Sequence, residues 1–156
     1  MNLQIRPFNN NDINDLVQLS LLAWAPVFTA WKRILGPQLY PIAIYADWRK
    51  GQKEVVEKIC NDEQITTWVA EVDGKVVGFV AYELNDHTKI GEVHPEYQNH
   101  GIGTQLNLFV LQKMKENGMK LAVVGTGGDE GHAPARKSYE KAGYTGLPLV
   151  RYYKAL

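Results

Sequence analysis

Val93-His94-Pro95-Glu96-Tyr97-Gln98-Asn99-His100-Gly101-Ile102-Gly103-Thr104 is the stretch on which the fold and the function both turn. A strand ends, a short turn follows, and two glycines open a helix. That helix is expected over Ile102 to Asn117, with Leu106, Phe109, Val110 and Met114 on one face and Gly118 as its stop. Glycine lets a ligand come close to the backbone, and a helix start offers unpaired N–H donors with a partial positive charge. Together they make an anion site. Gly101 and Gly103 are not followed by Gly-Lys-Ser/Thr, which argues against a P-loop nucleotide hydrolase. Taken alone, Gly-x-Gly reads as a tight turn before a helix sooner than as an anion site.

Upstream, Leu3 to Pro7 alternates as a short strand, and a helix is expected from about Asp12 to Trp24, ended by Pro26. A segment crowded with aromatics follows: Trp24, Phe28, Trp31, Tyr40, Tyr45 and Trp48, broken by Pro26, Gly36, Pro37 and Pro41. A second helix, or two short ones, is expected over Tyr45 to Cys60. Thr66 to Val72 and Lys75 to Leu84 read as a hairpin around Asp73-Gly74, two residues that accept the positive φ of a tight turn. After a turn at Asn85-Asp86-His87, Lys89 to His94 is the next strand. Downstream, Lys120 to Gly125 reads as a buried strand and Ala133 to Ala142 as a helix with Pro134 in its first turn and Gly143 past its end. Leu147 to Lys154 reads as a last strand. The order predicts a mixed α/β (α+β) arrangement around one sheet.

The bulk properties narrow the class. The chain has 156 residues, enough for one domain, and 45% of them are apolar. Lys plus Arg equals Asp plus Glu at 17 each, so the net charge is zero. That balance argues against a nucleic-acid partner and against a polybasic membrane anchor. One cysteine, Cys60, excludes an intramolecular disulfide. The N-terminus does not read as a signal peptide, and no run of about 18 uninterrupted apolar residues suggests a membrane span. A cytoplasmic location is expected.

The Gln98-x-x-Gly101-x-Gly103 spacing, following a Val-x-Pro strand end, resembles the acetyl-CoA signature of the GNAT superfamily of N-acetyltransferases. About 35 residues on, Ala135-Arg136-Lys137-Ser138-Tyr139-Glu140-Lys141-Ala142-Gly143-Tyr144 is similar to that family's C-terminal helix, with one helix and one strand between the two motifs. The resemblance implies a single GNAT-like domain over residues 1–156, with a central mixed, mostly antiparallel sheet flanked by helices. It implies acetyl-CoA as co-substrate, with Gln98, Asn99, His100, Gly101, Gly103 and Thr104 at its pyrophosphate and the Val93 backbone along its pantetheine arm. Tyr139 would be the general acid for the departing thiolate.

The attacking amine must shed a proton, and Glu92 in the strand before Val93 is the carboxylate expected to take it, with His94 on the same strand face. A water chain is the family's other route. Two departures stand out. Gly91-Glu92 sits where the family places an apolar residue, and His132 sits where it often carries a cofactor-contacting Asn; a histidine donates a similar hydrogen bond. No second His or Cys stands at ligand spacing to His132, so no metal is expected.

The aromatic segment Trp24 to Trp48 lies where the family builds its acceptor pocket, and core packing or a homodimer contact are its other uses. Asp129 and Glu130 either draw in a cationic acceptor or are solvated loop carboxylates. The acceptor is expected to be an amine on a small molecule or a peptide, acetylated directly in a ternary complex, since Cys60 has no activating neighbour. A non-catalytic acyl-CoA sensor on the same scaffold is the alternative, and Tyr139 argues for the enzyme.

Overall fold

A computed structural model of the chain describes residues 2–44, 47–84, 89–93 and 95–156, with the backbone alone at 89–93 and 95. The expected Asn85 to His87 turn, His94 and Tyr45 lie outside the described residues, as does the Glu92 side chain. Four strands form one sheet in sequential order: β1 (Leu3–Pro7), β2 (Thr66–Val72), β3 (Lys75–Tyr82) and β4 (Lys89–Val93), each pair antiparallel. The β2–β3 hairpin turns at Asp73 (φ 49) and Gly74 (φ 80), the two positive angles its tight turn requires. A register shift falls between Ala70 and Glu71.

Helices cover both faces. On one, α1 (Ile13–Ala43) and α2 (Trp48–Asn61) enclose Leu16, Val17, Leu19, Val56, Val69 and Phe79. On the other, α3 (Ile102–Glu116) lays Ile102, Leu106, Val110 and Met114 against Ala70, Val80 and Tyr82. The two central strands are therefore buried from both sides, and Val69 and Phe79 are fully closed off. Arg6 of β1 ties the sheet to the start of α1. Its guanidinium donates to both oxygens of Asp12, each at 2.9 Å, and to Glu71 at 2.8 Å. Asp12 in turn accepts from the Asn9 amide, closing a capping box.

Three sequence expectations are corrected. Pro26 does not end the first helix. Proline removes one backbone donor, but Val27, Phe28 and Ala30 are buried and hold the next turns in place. The break comes at Gly36 (φ 69), after which Pro37 starts a short continuation. Lys120 to Gly125 and Leu147 to Lys154 form no strand. Their side chains alternate suitably, but a strand also needs a neighbouring edge about 4.8 Å away. Leu121, Val123, Leu147, Leu149 and Tyr152 instead stand exposed.

α1 with the turn before it is also long and apolar enough to cross a membrane by length and composition. Its buried Leu16, Val17 and Leu19 pack against the sheet and α2, as those of a core helix do. α4 (Ala133–Lys141) packs beside α3, where Asn107 donates to the Ser138 hydroxyl at 2.9 Å.

Candidate active site

The starts of α3 and α4 face a common cavity of about 530 Å3, a size suited to a cofactor or substrate. One wall is the turn before α3. Gln98, Asn99, Gly101, Gly103 and Thr104 all line it. Asn99 (φ 64) and Gly101 (φ 79) both adopt the left-handed conformation, and Gly101 is the N-cap. No side chain caps the helix and no acidic residue occupies its first turn. Its leading N–H groups are left for an anion. A Cβ placed on Gly101 would meet nothing within 4 Å, so the approach to this backbone is open. Lys137 and Lys141 of α4 add positive charge to the cavity wall. These features fit the pyrophosphate of a coenzyme.

His100, expected in this set, does not line the cavity. It is exposed, and its Nδ1 pairs with the Gln98 carbonyl at 2.9 Å. Val93 lies in β4 opposite Gly78, and Glu92 opposite Phe79. Phe79 itself borders the cavity.

The far wall is made by α4, the turn before it and α1. Tyr139 lines the cavity, with the Tyr144 ring edge-on at 5.7 Å. His132 lines it as well, at the N-cap of α4. Its Nδ1 is 2.7 Å from Asp129 Oδ2. Asp129 is held from three directions: by His132, by the Trp31 indole N–H at 3.2 Å, and by the Gly131 amide at 2.9 Å. Burial pushes the Asp129 carboxyl up, but the His132 hydrogen bond and charge and the Trp31 bond outweigh it, and the group ends below its ordinary value. Arg136 fixes the same turn by donating to the Gly127 and Asp129 carbonyls, both at 2.6 Å. The glycine-rich segment is thus an ordered loop.

The aromatic segment divides between packing and cavity. Phe28 stacks on Trp48 at 4.4 Å as core, and Trp24 lines the cavity against His132. The sequence left Asp129 either drawing in a cationic acceptor or solvated in its loop; the Asp129-x-x-His132 spacing, with Gly127 before it and Gly131 inside it, was the signal available. Among the described residues no group of three or more His, Cys, Asp or Glu could hold a metal ion. Cys60 is half-buried, and burial, with the charges of Asp12 and Glu57, pushes its thiol up to about 11.

Residues 28–144 match the model of the acetyltransferase (GNAT) family. An uncharacterised N-acetyltransferase of Archaeoglobus fulgidus is 38% identical over 136 residues, spanning 80% of this chain and 82% of that protein. Two solved structures share the fold. The PaiA N-acetyltransferase of Thermoplasma acidophilum, in complex with coenzyme A, has a TM-score of 0.65 at 17% identity and covers 93% of this chain and 91% of its own. The ribosomal-protein-S18-alanine N-acetyltransferase of Escherichia coli has a TM-score of 0.66 at 14% identity, covering 94% and 80%.

Proposed function

Starting from a chain that belongs to the GNAT acetyltransferase family, we propose that its 156 residues form one catalytic domain that moves acetyl from acetyl-CoA to a primary amine by direct transfer in a ternary complex. The observation that carries this is the single cavity lined both by the glycine-capped start of α3 and by Tyr139 of α4. The α3 end suits the pyrophosphate, with Gln98, Asn99, Gly101, Gly103 and Thr104 as the contacting residues. The pantetheine arm then runs along Val93 of β4 toward α4.

In the transfer, the amine nitrogen attacks the thioester carbonyl. The C–S bond breaks and its electron pair goes to sulfur. Tyr139 donates its phenolic proton to that thiolate. For the amine's proton, strand position makes Glu92 one candidate acceptor. A covalent acetyl-cysteine route is disfavoured by Cys60, whose raised thiol is little ionised at neutral pH.

The acceptor is an amine on a small molecule or a peptide. Trp24 and Glu130 at the cavity wall suit one that arrives positively charged. The test is a panel of amines with acetyl-CoA, following free thiol. Expected are thiol release dependent on the amine and intersecting double-reciprocal lines. Parallel lines would point to a covalent intermediate. Acetyl-CoA binding without thiol release from any amine would favour the sensor.

A further inference from the structure

We propose that the His132–Asp129 pair, and not Glu92, takes the proton that the amine loses; this rests on the transferase reading above. The pair is built rather than incidental. His132 and Asp129 side chains are only 11% and 7% exposed. Asp129, held ionised by its three donors, can only accept a hydrogen bond, so its partner Nδ1 must carry the proton. In the neutral ring, Nε2 then holds the free lone pair, and no hydrogen bond to it is found among the described residues. Trp24 stands edge-on to the ring at 5.7 Å and Trp31 tilts over it at 5.7 Å, which fixes its plane.

Two glycines make room for the pair. A Cβ at Gly127 would collide with the Asp129 carboxylate and with His132 Nδ1, and one at Gly131 with the Val27 backbone of α1. The charged groups around His132 are few. On its own loop they are Asp129, Glu130 and Arg136, with Lys137 one turn on. Among the described residues, Arg33 is the charged group of α1 that reaches the loop, and it pairs with Glu130 at 2.8 Å. Trp24 and Trp31 carry no charge.

Spacing supports the role. His132 and Tyr139 are seven residues apart, on one face of α4 and about 10 Å apart along its rise. Both line the cavity. A proton acceptor, attacking nitrogen, carbonyl carbon, sulfur and proton donor in sequence cover roughly 8–9 Å, counting hydrogen bonds of about 3 Å at each end. Backbone positions that far apart along the helix leave room for the two side chains to serve opposite ends of one tetrahedral intermediate. The nitrogen forms its bond to carbon and sheds a proton to Nε2. The C–S pair leaves on sulfur, which takes the Tyr139 proton. Imidazolium and tyrosinate then exchange protons with water. Asp129 touches no substrate and acts by positioning the ring, as the aspartate of a Ser-His-Asp triad does.

The experiment compares wild type, His132→Gln and Asp129→Asn with the acceptor found in the amine panel. It records kcat, the KM for acetyl-CoA, the pH profile and the melting temperature. We expect kcat to fall by about 10²- to 10⁴-fold in His132→Gln, with the acetyl-CoA KM near wild type. The acid limb of the pH profile should move to the ionisation of the amine itself, so activity recovers at high pH. Asp129→Asn should lower kcat in the same sense, because an amide can hold the ring in the wrong tautomer. His132→Gln keeps Asp129 and its loop bonds to Gly131 and Trp31, so it tests the idea even where Asp129→Asn fails to fold. A His132→Gln variant that raises the acetyl-CoA KM, yet keeps kcat and the acid limb, makes His132 a coenzyme contact and overturns the inference. So does an acid limb that survives in His132→Gln and vanishes in Glu92→Gln. Either result leaves the transferase reading intact, whereas a wild type that binds acetyl-CoA but releases no thiol defeats that reading itself.

Discussion

The two helix starts on the cavity are built in opposite ways. At α3 the wall is backbone: a left-handed glycine cap, no side-chain cap and no acid in the first turn. At α4 it is side chain: a short turn capped by Asp129, with His132 locked to it and two tryptophans of α1 against the ring. The first suits a partner that never changes, because peptide N–H groups recognise a phosphate whatever the neighbouring residues are. The second suits a partner that differs from one relative to the next, because altering a side chain alters the pocket. On the proposed reading, coenzyme recognition and acceptor chemistry are separable along one cavity.

That division can be broken by experiment. Tyr139→Phe should lower kcat by about 10²-fold or more while acetyl-CoA affinity stays near wild type. The ring keeps its contact with Tyr144, so packing changes little. Steady-state kinetics beside calorimetry decides it: equal losses of affinity and turnover make the hydroxyl a binding contact. Gly101→Val should weaken acetyl-CoA binding by about tenfold or more, since a β-branched residue at φ 79 is strained and fills the space the phosphate needs. Unchanged calorimetric affinity in the folded variant would break the comparison at the coenzyme end.

Gly127→Ala should do the converse. It pushes Asp129 and His132 apart, lowering kcat several-fold and sparing acetyl-CoA affinity. A loss of affinity there would mean that the two ends are not separate.

The smallest effect is one both ends share, through the scaffold. The hydrogen bond from Arg6, working against burial, holds the Asp12 carboxyl below its ordinary value. A lowered folded value means that the stabilisation is complete above the unfolded carboxyl range, near ~3.9, and is lost as pH falls through the folded value. Denaturant melts from neutral pH down into that range should show less acid destabilisation for Asp12→Asn than for wild type.

The glycine-capped start of α3 was legible because its requirements are local. Gly101 and Gly103 follow a strand and open a helix within one short run, and the hairpin at Asp73-Gly74 and the helix over Ile102 to Glu116 follow equally from near neighbours. The meeting of Trp24 and Trp31 with Asp129 and His132 was not, because it spans about a hundred positions. Pro26 misled for a related reason: its local penalty is real, but burial of Val27 and Phe28 against distant elements decides. The strands expected at 120–125 and 147–154 had the right alternation and lacked a partner edge, which no segment reveals about itself.

The close approach of Gly131 to Val27 has a consequence for how this protein can change. A side chain at 131 would press on the backbone of α1, and one at 127 on the Asp129–His132 pair, whereas a Cβ at 128 would meet nothing. Saturation mutagenesis across this loop should therefore read as an uneven comb, intolerant at 127 and 131 and permissive between them at 128. On the proposed reading, altered acceptor preference would have to be sought on the helix, at Trp24, because the loop facing it has no spare volume at its two tight positions.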